Sequence, residues 1–175
     1  LQAPRREIEK MLPFYNGKSP HAIASKRLEK QKLLGIVPPA AKLGMAGKFN
    51  PEGYEKTSAK RKDYIAECMA TYAAQIVIMD RGIGRILASL ERHRLSDNTI
   101  VMFLSDNGAT AEMPQNNKNK KTTLPTGPLG EVGCRDGYGP MWAAVSNTPY
   151  RQYKIETFDG GLSAPFIIRY PSKIR

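Results

Sequence analysis

This sequence predicts an α/β fold, and three stretches carry the prediction: a long helix with a single apolar stripe, a short apolar strand directly after it, and a second strand near the end. In the helix, Ile65, Met69, Tyr72, Ile76, Met79, Ile83, Ile86 and Leu90 follow one another by alternating steps of four and three residues, a spacing that lays one stripe along a helix. Residues 99–104 then read Thr-Ile-Val-Met-Phe-Leu. So continuous an apolar run suits a strand buried on both faces, as in the middle of a parallel sheet. Residues 166–170 form the second strand, which Pro171 ends. A coiled-coil seam would show the same stripe, but a strand following at once favours a helix packed on a sheet. Together these elements make an α/β sandwich.

The remaining elements fall into place around that centre. Residues 5–12 suit a short helix, and 13–20 a turn-rich link with Gly17 and two prolines. Residues 21–34 are a second helix, with Ile23, Leu28 and Leu33 or Leu34 on one side and Gly35 as its stop. Several prolines and glycines make 36–57 a loop. The long helix is expected from about Tyr64 to His93, with Arg92, His93 and Arg94 as cations in its last turn, where the helix dipole favours them. From 109 to 140 the chain is polar and rich in glycine and proline, a length of loop that is uncommon unless functional or disordered.

Bulk composition narrows the class. The 175 residues suffice for one domain, and 41% hydrophobic with 25% charged content is that of a globular chain rather than a disordered one. No apolar run is long enough to span a bilayer. The opening Leu1-Gln2-Ala3-Pro4-Arg5-Arg6 has no starting Met and no signal-peptide pattern, so the chain reads as part of something longer. Cys68 and Cys134 lack metal-ligand spacing. Cys68 falls in the helical apolar pattern as a small core residue, Cys134 in a glycine-rich loop, and a disulfide between them is the weaker reading. The net charge of +11 suits an anionic substrate. No zinc-finger, RNA-binding or DNA-reading motif accompanies it, which argues against nucleic acid as the partner.

Few residues have the makings of chemistry. Asp106 and Asn107 stand at the C-terminal end of the predicted buried strand, where open α/β sheets bind ligands. A carboxylate beside an amide oxygen is a hard donor pair suited to Ca²⁺ or Mg²⁺, and Gly108 lets the backbone turn sharply next to it. Ser105-Asp106-Asn107-Gly108 is also a common turn sequence, and on that stretch alone the plain turn is the better reading. Lys154 precedes a second tight turn, Asp159-Gly160-Gly161, where a lysine can hold an anion as a point charge. Taken alone it reads as a surface lysine. His93 reads as an exposed helix end and His21 as a helix start rather than a catalytic base.

The ordered combination is more specific than its parts. Met69-Ala-Thr-Tyr72-Ala-Ala, Met79-Asp80-Arg-Gly82-Ile-Gly84-Arg, Asp97-Asn98-Thr99 and Phe103-Leu-Ser105-Asp106-Asn107-Gly108-Ala109 occur in that order. Ser146-Asn147-Thr148-Pro149-Tyr150-Arg151-Gln-Tyr153-Lys154, Thr157-Phe158-Asp159-Gly160-Gly161, Pro165 and Arg169-Tyr170-Pro171 follow. This series closely resembles the sulfatase family, arylsulfatase-type, of the alkaline-phosphatase-like superfamily. It covers nearly the whole chain, because the opening residues and 27–38 are similar too. The resemblance implies a partial alkaline-phosphatase-like α/β/α sandwich, with residues 1–175 as the C-terminal portion of the catalytic domain. It also implies sulfate-ester hydrolysis by a formylglycine nucleophile with Ca²⁺, sometimes Mg²⁺. On that pattern Asp106 and Asn107 match the second pair of metal ligands, and Lys154 matches the lysine that contacts the sulfate.

Departures accompany the likeness. The chain contains no Cys/Ser-x-Pro-x-Arg motif, in which the formylglycine is made. Asn147-Thr148-Pro149-Tyr150-Arg151 has the Pro and Arg spacing with an Asn at the nucleophile position, and it matches a different family segment. The first aspartate pair and the His, Arg and Lys around the nucleophile are also missing, so the formylglycine is expected upstream and the isolated chain is expected to be inactive. Asp159 stands where Glu is more usual. Strands expected upstream would leave a sheet edge and an apolar face uncovered here. Phosphate or phosphonate monoester hydrolysis is the alternative within the superfamily; a non-catalytic relative that binds sulfated glycans through its basic face is another. Family members are periplasmic, secreted or lysosomal, and this chain carries no address of its own.

Overall fold

The computed structural model describes residues 1–44, 51–112, 127–134 and 136–174. Lys118, Lys120 and Lys121, the cations of the expected long loop, lie outside the described residues. In chain order the helices are α1 (Arg5–Met11), α2 (Pro20–Leu33), α3 (Pro51–Glu55), α4 (Ala59–Arg92), α5 (Gly139–Ser146) and α6 (Asp159–Leu162). Among the described residues two strands, β1 (Val101–Leu104) and β2 (Phe166–Arg169), and two short 3-10 turns (Leu12–Phe14 and Ser96–Asn98) accompany them, so helices and a small sheet share the chain as an α/β reading requires.

Local chemistry explains the helix ends. Ser19 caps α2 by accepting the Ala22 N–H at 3.2 Å, and Ser58 caps α4 by accepting that of Arg61. Gly35 ends α2 at φ +69°. Its N–H reaches the Lys32 carbonyl at 3.0 Å while the Ile36 N–H reaches that of Gln31 at 2.9 Å, the paired bonds of a left-handed helix stop. At the end of α4 Arg94 takes the same role at φ +56°, with Leu95 N–H bonding Leu90 O at 2.9 Å. His93 is exposed at that end, and its Nδ1 meets Ser89 O at 2.7 Å.

α5 is the centre of the core, and nothing in the sequence pattern singles it out. Its Trp142, Ala143 and Val145 are completely buried. Gly139 and Pro140 flank its start and read as loop punctuation, yet proline fits the first turn of a helix, where no N–H partner is lost. Trp142 donates its indole N–H to the Ile65 carbonyl at 2.8 Å, and its ring meets Tyr15 edge-on at 5.6 Å between centroids. Ala24 of α2 and Ile65, Cys68 and Met69 of α4 pack into the same cluster. A second cluster joins α1 to α4, where Ile8 sits on Ala70 and Ala74. Beside it the buried Glu7 carboxylate meets Arg81 of α4 at 3.0 Å and Lys10 at 3.2 Å. Lys10 first, then Arg81, hold the Glu7 carboxyl below the usual carboxylate range. Cys68 is buried as expected, and burial pushes its thiol up to about 12. Cys134 is buried as well, and both thiols are free.

Four expectations are corrected by the fold. Residues 36–57 are not all loop, since α3 forms within them. α4 begins at Ala59, earlier than its apolar stripe, because the Ser58 cap sets the start. Only the first half of that stripe is buried: Ile65 and Met69 are in the core, whereas Ile76, Met79 and Ile86 are exposed. The helix therefore rests on α1 and α5 rather than on the sheet. β1 is likewise not buried within a parallel sheet. It pairs antiparallel with β2, Val101 opposite Arg169 and Leu104 opposite Phe166. Met102, Phe103, Leu104, Phe166, Ile167 and Ile168 are all exposed, so the apolar run has its strand geometry but no covering layer among the described residues.

Candidate functional site

β1 ends at Leu104 and delivers Ser105, Asp106, Asn107 and Gly108 into a tight turn. Ser105 donates its hydroxyl to the Asn107 carbonyl at 2.8 Å, which closes the turn locally. The Asp106 side chain is exposed and that of Asn107 partly so. Gly108 is buried against α6: its N–H donates to Gly161 O at 3.1 Å. A Cβ at Gly108 would collide with the Gly160 carbonyl oxygen and stand 2.9 Å from the Gly160 carbonyl carbon. The glycine is thus demanded by backbone passing over backbone, more than by the turn itself.

Lys154 reaches the same place from another segment. Its backbone N–H donates to Ala109 O at 3.0 Å, two residues beyond Asn107. The stretch that leads to it is bent, with Gln152 at φ +67° and Ile155 at φ +80°. Arg151 turns away, its guanidinium 4.2 Å above the Phe158 ring, while Gly160 N–H donates to Arg151 O at 2.8 Å. Asp159, expected in a tight turn, opens the four-residue α6. The chain thereby brings all three sequence-predicted residues, Asp106, Asn107 and Lys154, to one backbone junction. His21 and His93 are no part of it: one is exposed at the start of α2, the other at the far end of α4.

Asn147 organises this junction, whereas the sequence pattern draws attention only to the spacing of its Pro and Arg neighbours. It caps the C-terminus of α5. Its side-chain oxygen accepts Ala109 N–H at 3.0 Å, and its amide nitrogen donates to Gln152 O at 3.0 Å and Gly160 O at 2.8 Å. The sequence signal that could have found it is an amide residue just after an apolar run, one serine beyond Val145, followed by a bent segment whose backbone groups need partners.

Among the described residues no three His, Cys, Asp or Glu side chains gather as a metal cage. Asp106 and Asn107 are the donor pair at the junction, an oxygen set suited to a hard cation and too small to hold one alone. An open groove of about 470 Å³ lies at the Val101 end of the sheet, away from this turn. Glu91 and Asp97 balance Arg94 and Arg169 there, so its charge favours no anion. No described helix is long and apolar enough to cross a membrane.

Comparison with known proteins bears on this arrangement. A family model described as Sulfatase matches residues 38–175. An uncharacterised sulfatase of Schizosaccharomyces pombe is 33% identical over 186 residues, covering 100% of this chain and 33% of that protein. An arylsulfatase of Klebsiella aerogenes is 31% identical over 183 residues, covering 100% of this chain and 38% of its own length. A steryl-sulfatase of Rattus norvegicus is 33% identical over 103 residues, which is 59% of this chain and 14% of that protein. The chain thus spans about a third of the length of the two relatives that it matches from end to end.

Proposed function

This chain belongs to the sulfatase family, and we propose that Asp106, Asn107 and Lys154 are its share of a site that hydrolyses sulfate esters in the whole protein. The observation that carries this reading is the junction itself. A hard-oxygen donor pair and a lysine, 47 positions apart in sequence from Asn107 to Lys154, are joined through one backbone hydrogen bond at Ala109. We assign residues 1–175 to the C-terminal portion of the catalytic domain and its architecture to the alkaline-phosphatase-like α/β/α sandwich.

Each residue has a role that follows from its chemistry. The Asp106 carboxylate and Asn107 amide oxygen suit Ca²⁺, with Mg²⁺ as the substitute, and further ligands belong to other segments because calcium takes six to eight oxygens. When bound, such an ion offsets charge on the sulfate oxygens. Lys154 supplies a positive charge to the ester, which is worth most where charge builds up in the transition state. The excess of 27 Lys and Arg over 16 Asp and Glu draws anionic substrates towards the protein. The nucleophile, a formylglycine in this reading, belongs to sequence outside these 175 residues, which contain no Cys/Ser-x-Pro-x-Arg motif.

The test is hydrolysis of an aryl sulfate by the intact protein and by its Asp106→Ala and Lys154→Ala variants. Loss of one transition-state contact is expected to lower kcat/KM by about 10²-fold or more. Wild-type rates in both variants would remove these residues from the site. Faster turnover of the matched aryl phosphate would reassign the protein to phosphoryl chemistry.

A further inference from the structure

We propose that Asn147 is a positioning residue, whose carboxamide sets the spacing between the Asp106–Asn107 turn and the segment that carries Lys154. The proposal rests on the roles given above to those three residues.

A carboxamide offers one acceptor oxygen and two N–H donors. Asn147 uses both sides: the oxygen faces the Ala109 N–H, and the nitrogen faces the carbonyls of Gln152 and Gly160. Partners of opposite type on its two ends fix which way the amide points. Three separate stretches of chain are therefore tied to one side chain: the residues just after the donor pair, those just before Lys154, and α6, which supports Gly108. Aspartate lacks both donors, and glutamine is longer by a methylene, so neither reproduces the set.

Asn147 is itself held from behind. α2 sends Arg27 to Val145 O at 2.7 Å and Gln31 to Thr148 O at 2.8 Å, one on each side of Asn147. Thr148 adds its hydroxyl to Val145 O at 2.7 Å, and Asn147 O accepts the Tyr150 N–H at 2.8 Å. The corner is thus pinned to the helical core by side chains from a different helix. The bent approach to Lys154 and the turn after β1 both hang from this corner, so displacement of the amide would move one relative to the other.

The experiment compares Asn147→Ala and Asn147→Asp in the intact protein by peptide-resolved hydrogen exchange, with the calcium concentration for half-maximal activity measured alongside. Asn147→Ala is expected to speed exchange at Gly108 and Ala109 about tenfold, the factor for one lost hydrogen bond, while α1 and α4 exchange as in the wild type. It is also expected to raise the calcium midpoint several-fold. Asn147→Asp keeps an acceptor for Ala109, so that amide stays protected while the calcium midpoint still rises. Unchanged exchange at residues 108–109 in Asn147→Ala would overturn the proposal. So would a uniform rise across α4 and α5, the mark of a purely structural role, or an unchanged midpoint in a calcium-responsive protein. A wild type indifferent to calcium would count against the metal reading alone, because the exchange pattern decides the positioning role by itself.

Discussion

Replacing Gly108 by alanine adds a single methyl group, and the structure says where it must go. The new Cβ would collide with the Gly160 carbonyl oxygen and lie 3.1 Å from Gly161 Cα, so its neighbours are backbone and cannot rotate aside. The turn after β1 must then back away from α6. Retreat breaks the Gly108 N–H bond to Gly161 O and strains that of Ala109 N–H to Asn147. At about 1 kcal/mol for each hydrogen bond, with overpacking strain added, the cost is about 2–3 kcal/mol. Gly82 supplies the control. It lies within α4, and a Cβ added there would meet nothing within 4 Å, so alanine gains about 1 kcal/mol from helix propensity. The same substitution should therefore act with opposite sign at the two positions. Urea unfolding at low micromolar concentration reads the difference through Trp142, the one tryptophan of the 175 residues and completely buried. With a slope of about 2 kcal/mol/M, the Gly108→Ala midpoint should fall by roughly 1 M and that of Gly82→Ala should rise by about half as much. A Gly108→Ala midpoint at or above the wild type would refute the close approach of the two backbones.

Two further predictions concern titration. Lys10 and Arg81 lower the folded pKa of Glu7 below its unfolded value, so its contribution to stability is present above the unfolded pKa and lost as pH falls through the folded one. Glu7→Gln should lower the melting temperature at pH 7 and converge with the wild type as pH falls from about 5 to 3, which flattens the acid limb; identical curves at pH 7 and through the acid limb would show that Glu7 carries none of it. Cys68 runs the other way. Burial raises its folded pKa to about 12 from an ordinary 9, so stability is full below pH 9 and declines as pH rises from there. At pH 8 iodoacetamide should modify Cys68 only as fast as the protein opens, and alkylation of the native protein at the rate of a free thiol would place Cys68 outside the core.

The sequence by itself determined most of the local structure. α1, α2 and the body of α4 appear where apolar spacing and Gly35 put them, because those signals act within a few residues of one another. Both strands follow from short apolar runs that end in turn residues or proline. Ordered motifs were enough to name the family and to mark Asp106, Asn107 and Lys154. Tertiary structure alone decided which surfaces are inside. An apolar run is the same whether a layer covers it or not, so nothing local distinguished the buried β1 that was expected from the exposed one found beside β2. The same holds for α4, whose single stripe is buried at Ile65 and open at Ile86. α5 was hidden for the converse reason: glycine and proline speak of a loop until Trp142 finds Ile65, 77 residues away. Asn147 makes the point for the site. Its importance lies in three backbone groups 5, 13 and 38 residues away, and only folding puts them within reach of one amide.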